Sequence, residues 1–160
     1  DENNVYELWK FESFEGDEYP YSDVLELIYG VSSEDDIVSV ISMPANMDNT
    51  DEGIRAQEEI GRLEITNRDD ISELYQVISN MTCYGNDNWD MIDYGASDTG
   101  MVEGIRKGRY LIIELANGNI IDGLKYTGIS GMFYEFSGIA YNKLDDASKE
   151  NVERILEIDK

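Results

Sequence analysis

The sequence predicts an α+β domain in which an antiparallel sheet of five or six strands has two main helices packed on one face. Two observations support this fold class. Residues 66–81 and a C-terminal segment repeat apolar side chains at helical spacing. The sequence YLIIELANGNIIDGLKY places two apolar runs around Asn117-Gly118, a pair that favours a type I′ turn between antiparallel strands. The length of 160 residues favours a single domain, 1–160, with residues 1–33 as an acidic N-terminal segment.

The first third of the chain is predicted to hold two strands and a short helix. Val5 to Phe11 alternates as a strand with apolar residues on both faces. Ser22 is expected to cap a short helix, and Gly30 is expected to end it. The composition of this segment is equally compatible with a strand. Ile37 to Met43, with the sequence IVSVISM, alternates cleanly and is predicted to be a strand that ends at Pro44.

A connecting loop, a strand and the clearest helix follow. Asn46 to Glu59 is polar and is expected to be a long loop with possible helical turns, and Ile60 to Thr66 is expected to be a strand. Thr66 to Met81 carries the apolar stripe of a helix. Its cap is either Thr66 with Asp69 or Asn67 with Asp70.

The last part of the chain is predicted to be a loop, a three-stranded meander and a helix. Thr82 to Gly108 is rich in glycine, asparagine and aspartate and is interpreted as an extended loop. The meander consists of Tyr110–Leu115, Ile120–Tyr126 and Met132–Tyr141, with Gly138 as a candidate bulge. A helix capped by Asp145 or Asp146 then closes the domain.

Charge and composition exclude several classes of function. There are 35 acidic and 12 basic residues, for a net charge of −23, so a direct nucleic-acid reader is not expected. The absence of histidine excludes Ser-His-Asp and Cys-His catalytic sets and zinc sites that need imidazole. A single cysteine excludes an internal disulfide, and no apolar run is long enough to span a bilayer. No enzyme activity and no cofactor are expected.

The acidity is concentrated near the N-terminus. Residues 1–53 hold 15 acidic residues and one basic residue, Lys10. This segment either forms a recognition face for a basic protein or serves solubility. If this segment forms a recognition face, we expect the partner to bind at Glu34, Asp35 and Asp36.

One segment resembles a calcium-binding loop. Oxygen-bearing residues occupy EF-hand positions 1, 3, 5 and 12, namely Asp48, Thr50, Glu52 and Glu59, and Gly53 is at position 6. The match is imperfect because position 8, normally apolar, is Arg55, and Pro44 interrupts the segment where an entering helix is needed.

Two further groups are candidates for binding. Trp89, flanked by Tyr84 and Tyr94, is either a contact surface for sugar or protein or an anchor that holds the loop on the core. Arg106, Lys107 and Arg109 form the only basic cluster. They either hold an anionic ligand or face the acidic N-terminal third.

A family resemblance covers residues 35–158. The passage ITNRDDISELYQVIS, the hairpin YLIIELANGNIIDGLKY and the segment MFYEFSGIAY with its terminal helix resemble small exported or lipoprotein domains of unknown function from Gram-positive bacteria. The resemblance implies an exported, extracytoplasmic, non-enzymatic binding module, with the chain from Asp1 as a mature or trimmed form. The alternative is an acidic inhibitor or immunity-type protein that binds a basic partner. The oligomeric state stays open.

Overall fold

The computed structural model describes residues 19–45, 48–83, 101–135 and 140–158. Their strands form one antiparallel sheet of eight strands in the order β1-β4-β8-β7-β6-β5-β2-β3. A short 3-10 helix, Glu34–Asp36, precedes β2. The other elements in chain order are β1 (Tyr19–Pro20), α1 (Tyr21–Tyr29), β2 (Ile37–Pro44), α2 (Asp51–Ile60), β3 (Leu63–Ile65), α3 (Arg68–Ser79), β4 (Thr82–Cys83), α4 (Met101–Lys107), β5 (Gly108–Leu115), β6 (Ile120–Thr127), β7 (Met132–Glu135), β8 (Ala140–Lys143) and α5 (Asp146–Ile155).

The core lies between the sheet and the helices α1, α3 and α5. One cluster of buried side chains joins these helices to the central strands, so the predicted α+β class and the packing of the two main helices on one face are confirmed. The helices contribute Val24, Leu25, Ile28, Ile71, Leu74, Ile78, Val152 and Ile155, and the strands contribute Val40, Leu111, Ile113, Ile121, Leu124, Tyr126 and Phe133. The sheet has more strands than the expected five or six because two of them contain only two residues and the third meander strand is two strands.

The helix caps follow from side chains that accept hydrogen bonds from the first turn. Asn67 Oδ1 accepts from the Asp70 amide at 3.1 Å, which is the second of the two predicted caps of α3. Asp145 Oδ1 accepts from the Ser148 amide at 2.8 Å at the start of α5, and the hydrogen bonds from Ser148 lower the pKa of Asp145. Helix α1 ends at Gly30, as predicted, in the left-handed conformation (φ 73°).

The predicted hairpin is confirmed, but its turn is not the expected type I′. That type needs a positive φ at Asn117 as well as at Gly118, and Asn117 does not have one. Residues 116–118 instead form a three-residue loop, in which the Leu115 amide donates to the Asn119 carbonyl at 3.0 Å. Strands β5 and β6 pair from Gly108 opposite Thr127 to Glu114 opposite Ile120. The turn requires a positive φ, which Gly118 supplies at 87°. Asn117 fixes the turn, since its side-chain amide donates to the Tyr29 carbonyl at 3.0 Å and its Oδ1 accepts from the Asn119 amide.

Four other local expectations are wrong. Most of the expected loop Asn46–Glu59 is the helix α2, because Thr50 Oγ1 accepts from the Gly53 amide and starts a helix that buries Ala56. The end of the expected loop Thr82–Gly108 is the helix α4, which buries Ile105. The expected strand Met132–Tyr141 is β7 and the start of β8, which pair with each other. Pro20, with no side-chain hydrogen bond, occupies the cap position expected for Ser22.

Some expectations concern residues outside the described ranges. These are the strand Val5–Phe11, the bulge at Gly138 and the aromatic group around Trp89. Among the described residues, no helix is long and apolar enough to cross a membrane.

Candidate functional site

A cleft of about 460 Å³ lies where β2 ends and β5 begins, next to α2, α4 and the end of α5. Hereafter it is called the cleft. Its lining combines charged residues of both signs with a few apolar ones. The lining residues are Ser42, Glu59, Ile60, Gly61, Leu63, Glu103, Arg106, Lys107, Arg109, Leu156 and Glu157.

Two ion pairs lie along the α2 and α4 side of the cleft. Arg106 Nη1 is 3.1 Å from Glu59 Oε2 and connects α4 with α2, and Lys107 Nζ is 3.0 Å from Glu103 Oε1 within α4. The four side chains are 40–63% exposed, so each pair contributes at most about 1 kcal/mol to stability. Their main effect is to hold four charged groups at the entrance of the cleft.

Arg109 fixes α4 against the sheet. Its guanidinium is buried, and Nη1 donates to the carbonyl oxygens of Ile105, Arg106 and Gly108 at 3.2, 3.2 and 2.7 Å. A cation at this helix C-terminus satisfies carbonyl groups that have no partner within the helix. The close approach needs glycine at position 108, because a Cβ there would lie 2.7 Å from the Gly104 carbonyl oxygen.

Two serines on β2 differ in what they face. Ser39 and Ser42 are each 2% exposed, but only Ser42 lines the cleft. Ser42 lies opposite Leu111 and shares the sheet face of Val40. Within the described residues, neither hydroxyl has a hydrogen-bond partner, and the Ser39 oxygen is fully enclosed. Ser42 therefore presents an unpaired hydroxyl to the cleft.

The side of the cleft formed by β3 and α5 is apolar except for one carboxylate. Leu63 and Leu156 supply apolar surface, and Leu156 is almost completely buried. Glu157 follows in the left-handed conformation, with φ 54°, and is the only non-glycine residue with positive φ in the described ranges. Its exposed carboxylate forms no ion pair with any residue that the structure describes.

The chain contains no histidine that could activate the Ser42 hydroxyl. Glu59 and Glu103 are engaged with cations. Across ranges 19–45, 48–83, 101–135 and 140–158, no three Asp, Glu, Cys or His side chains are arranged to hold a metal ion.

The residues of the expected calcium loop do not come together as one. Residues 51–60 form a helix, so they cannot wrap an ion as an EF-hand loop does. Thr50 caps this helix and Asp48 Oδ1 accepts from the Thr50 amide at 3.0 Å. Glu52 is exposed in the first turn, and Glu59 pairs with Arg106 in the cleft.

The acidic run Glu34–Asp36 has a structural role that the sequence did not indicate. Asp36 Oδ2 accepts from the amides of Ser32 and Ser33, which closes a capping box. Arg68 on α3 donates to the Glu34 and Ile37 carbonyls, both at 2.7 Å. Asp35 is exposed.

Carboxylates gather around Tyr75 on α3. The Tyr75 hydroxyl donates to the Ser32 carbonyl at 3.2 Å. Burial raises the pKa of Tyr75, and the negative charges of Glu34, Asp36 and Glu26 raise it further. These three carboxylates, from α1 and the 3-10 helix, therefore lie close enough to one phenol to act on it together. We call this group the acidic face.

Two residues of the basic cluster have acidic partners close to them in the fold. In the described residues, Arg106 forms an ion pair with Glu59 and Lys107 forms one with Glu103. Both glutamates lie outside residues 1–53.

The sequence does not identify two residues of the cleft, Ser42 and Glu157. The only signal for Ser42 is a serine at a core-facing position of a regular strand, and the sequence has no signal for Glu157.

Comparison of the chain with models of protein families, with curated proteins and with solved structures gives no match.

Proposed function

We propose that the protein is an exported, non-enzymatic binding module that takes a small ligand in the cleft. The single observation that supports this most is Ser42, a residue that is 2% exposed, lines the cleft and has no side-chain hydrogen bond to any described residue. A ligand that bonds to the Ser42 hydroxyl would gain a hydrogen bond worth about 0.5–1.5 kcal/mol.

The volume and lining support a small-molecule site. Pockets for small ligands measure roughly 300–1,000 Å³ and combine apolar surface with a few polar groups. The cleft has about 460 Å³, with Leu63 and Leu156 as apolar surface and Ser42 as an available polar group. Export is proposed on the resemblance of residues 35–158 to exported domains.

A thermal-shift screen tests the proposed function. Purified protein is heated with a library of small metabolites grouped by charge, in parallel with Ser42→Ala and Ser39→Ala. We expect at least one group to stabilise the wild type and Ser39→Ala but not Ser42→Ala, by about 2.7 kcal/mol at a hundred times the Kd. Ser39→Ala is a matched control because both serines are equally buried on β2. Equal shifts for both variants, or no shift with any group, would reject a ligand site at Ser42.

A second candidate function is inhibition of a basic protein. It is supported by the acidic face, since Glu26, Glu34 and Asp36 have no ion-pair partner among the described residues. Such a surface accelerates association with a cationic partner at low salt.

The second candidate has its own test. A basic protein captured from the native host is repurified, and its association rate is measured against ionic strength. If the acidic face binds it, Glu26→Gln with Glu34→Gln should lower the association rate at low salt. The control, Glu52→Gln with Glu58→Gln on α2, makes the same change in net charge on exposed residues and should have a smaller effect. Equal effects would point to net charge alone.

A further inference from the structure

We infer that the cleft binds a small uncharged molecule that has a short aliphatic part and one hydrogen-bonding group, an amide or an alcohol. This inference rests on the proposed binding function and names the class of ligand. Three features of the cleft support it, which are the open hydroxyl of Ser42, charged side chains that already have partners or are exposed to water, and apolar surface with no aromatic side chain among the described residues of the lining.

The Ser42 hydroxyl is the polar group that stays open to a ligand. Neither Ser39 nor Ser42 has a side-chain hydrogen bond to a described residue, but only the Ser39 oxygen is fully enclosed. The Ser42 oxygen is therefore accessible, and Ser42 lines the cleft. A serine hydroxyl donates one hydrogen bond and has two lone pairs that accept. A neutral amide or alcohol can accept and donate in return.

The positive charges of the cleft already have partners. Arg106 pairs with Glu59 at 3.1 Å, and Lys107 pairs with Glu103 at 3.0 Å. Arg109 Nη1 donates to three backbone carbonyls around the end of α4. An anionic ligand would have to weaken one of these contacts to obtain a counter-charge, and it would approach a chain of net charge −23.

A cationic ligand is poorly matched to the inner part of the cleft. The ion-paired side chains are 40–63% exposed and lie at the entrance, whereas Ser42 is 2% exposed. Glu157 is exposed as well, so water weakens its attraction for a cation. An ammonium group that reached the Ser42 hydroxyl would lose its water, and no described carboxylate of the lining is buried to replace it. Burying such a charge costs far more than burying a neutral group that is hydrogen-bonded.

The apolar lining favours an aliphatic part. Ile60, Leu63 and Leu156 line the cleft, and Leu156 is almost completely buried. Each methylene that moves from water onto such surface tightens binding by up to about fourfold. None of the described residues in the lining is aromatic, so they offer no face on which a planar ring could stack.

Amide chemical-shift titrations of ¹⁵N-labelled protein at neutral pH test the class of ligand with probes of one chain length. The neutral probes are pentanamide and 1-pentanol, and the charged probes are pentanoate and pentylammonium. We expect a neutral probe to shift the Ser42 and Leu63 amides with a Kd at least about tenfold lower than that of either charged probe, because an unpaired charge costs more to bury. A charged probe that binds as tightly as the better neutral one would overturn the inference, and so would the absence of shifts with both neutral probes.

Variants locate the polar contact. Ser42→Ala should raise the Kd of the neutral probe about two- to tenfold, which is the loss of one neutral hydrogen bond. Ser39→Ala is the equally buried control on β2 and should leave the Kd unchanged. Equal effects of the two serine variants would contradict the assignment of the Ser42 hydroxyl.

A third variant tests the apolar contact. Leu63→Ala should reduce the advantage of the neutral probe over its two-carbon analogue, acetamide or ethanol, because only the longer chain covers the apolar surface. An unchanged ratio of the two Kd values would contradict the aliphatic part of the inference.

The proposed function and the class of ligand can fail separately. A charged compound that stabilises the protein in the thermal-shift screen and depends on Ser42 would refute the uncharged class and leave the proposed function standing. A screen in which no compound depends on Ser42 would reject both.

Discussion

Leu74→Ala tests the packing that positions every other feature of the fold. Leu74 is fully buried near the middle of α3, in the cluster that joins the helices to the sheet. Helix α3 contacts α1, α5 and β2, so atoms on three sides surround this position. Because these elements are fixed by their own core contacts, the space left by the substitution cannot close completely.

The cost follows from the size of the deleted group and the rigidity of its surroundings. Leucine-to-alanine changes at buried sites lose about 2–5 kcal/mol, and a site that cannot collapse falls in the upper part of that range. We therefore expect a loss of about 4 kcal/mol, or a fall in Tm of about 8–16 °C for a chain of this length. Urea unfolding followed by circular dichroism measures the loss. Glu73→Ala, its exposed neighbour, should change stability by less than about 0.5 kcal/mol. Equal losses at the two positions would refute the assigned face of α3.

Three further predictions concern separate parts of the molecule. Asp36→Ala should destabilise the protein by about 1 kcal/mol because it removes the capping box, whereas Asp35→Ala should have little effect; denaturant unfolding would show whether the two differ. Burial raises the pKa of Cys83 from 9.0 to about 12. As pH rises, the Cys83 thiol therefore loses its proton in the unfolded state before it does so in the folded state. The free energy of unfolding should fall as pH rises from 9 towards 12. Cys83→Ala should flatten that slope by up to about 1.4 kcal/mol per pH unit, and an unchanged slope would exclude a buried thiol. Millimolar calcium should add no more than about 1 kcal/mol, because α2 replaces the expected loop; a calcium-induced rise in Tm that Glu59→Ala abolishes would contradict this.

The elements that the sequence predicts well are those whose local pattern and tertiary packing agree. Helix α3 has a cap at Asn67 and an apolar stripe that the core uses, and the β5–β6 hairpin has a turn that needs the glycine at position 118. In both cases the residues that specify the local structure are neighbours in the chain, so periodicity and turn chemistry are sufficient.

The helices α2 and α4 were not predicted because their apolar faces are narrow. Helix α2 buries only Gly53 and Ala56, and α4 is seven residues long with Ile105 as its fully buried side chain. Contacts between the two helices and the Arg109 guanidinium at the end of α4 stabilise them. These contacts form only in the folded chain, so no pattern within either segment indicates them.

The cleft could be predicted only in fragments for the same reason. In the sequence, Arg106, Lys107 and Arg109 indicate a basic patch and Glu59 indicates a metal ligand, and nothing connects the two. The structure brings them together because α2 packs on α4. The pairing of β2 with β5 places Ser42 at the cleft, and the position of the end of α5 places Glu157 there. No spacing of residues in the sequence indicates either position.

The proposed binding site is the cleft and not the acidic face. Amide chemical shifts of ¹⁵N-labelled protein test it directly, with titration of the compound that stabilises the protein most in the thermal-shift screen. We expect the largest shifts at Ser42, Leu63 and Glu157, and small shifts at Tyr75. Shifts confined to Tyr75 and the 3-10 helix before β2 would contradict the claim and favour the acidic face.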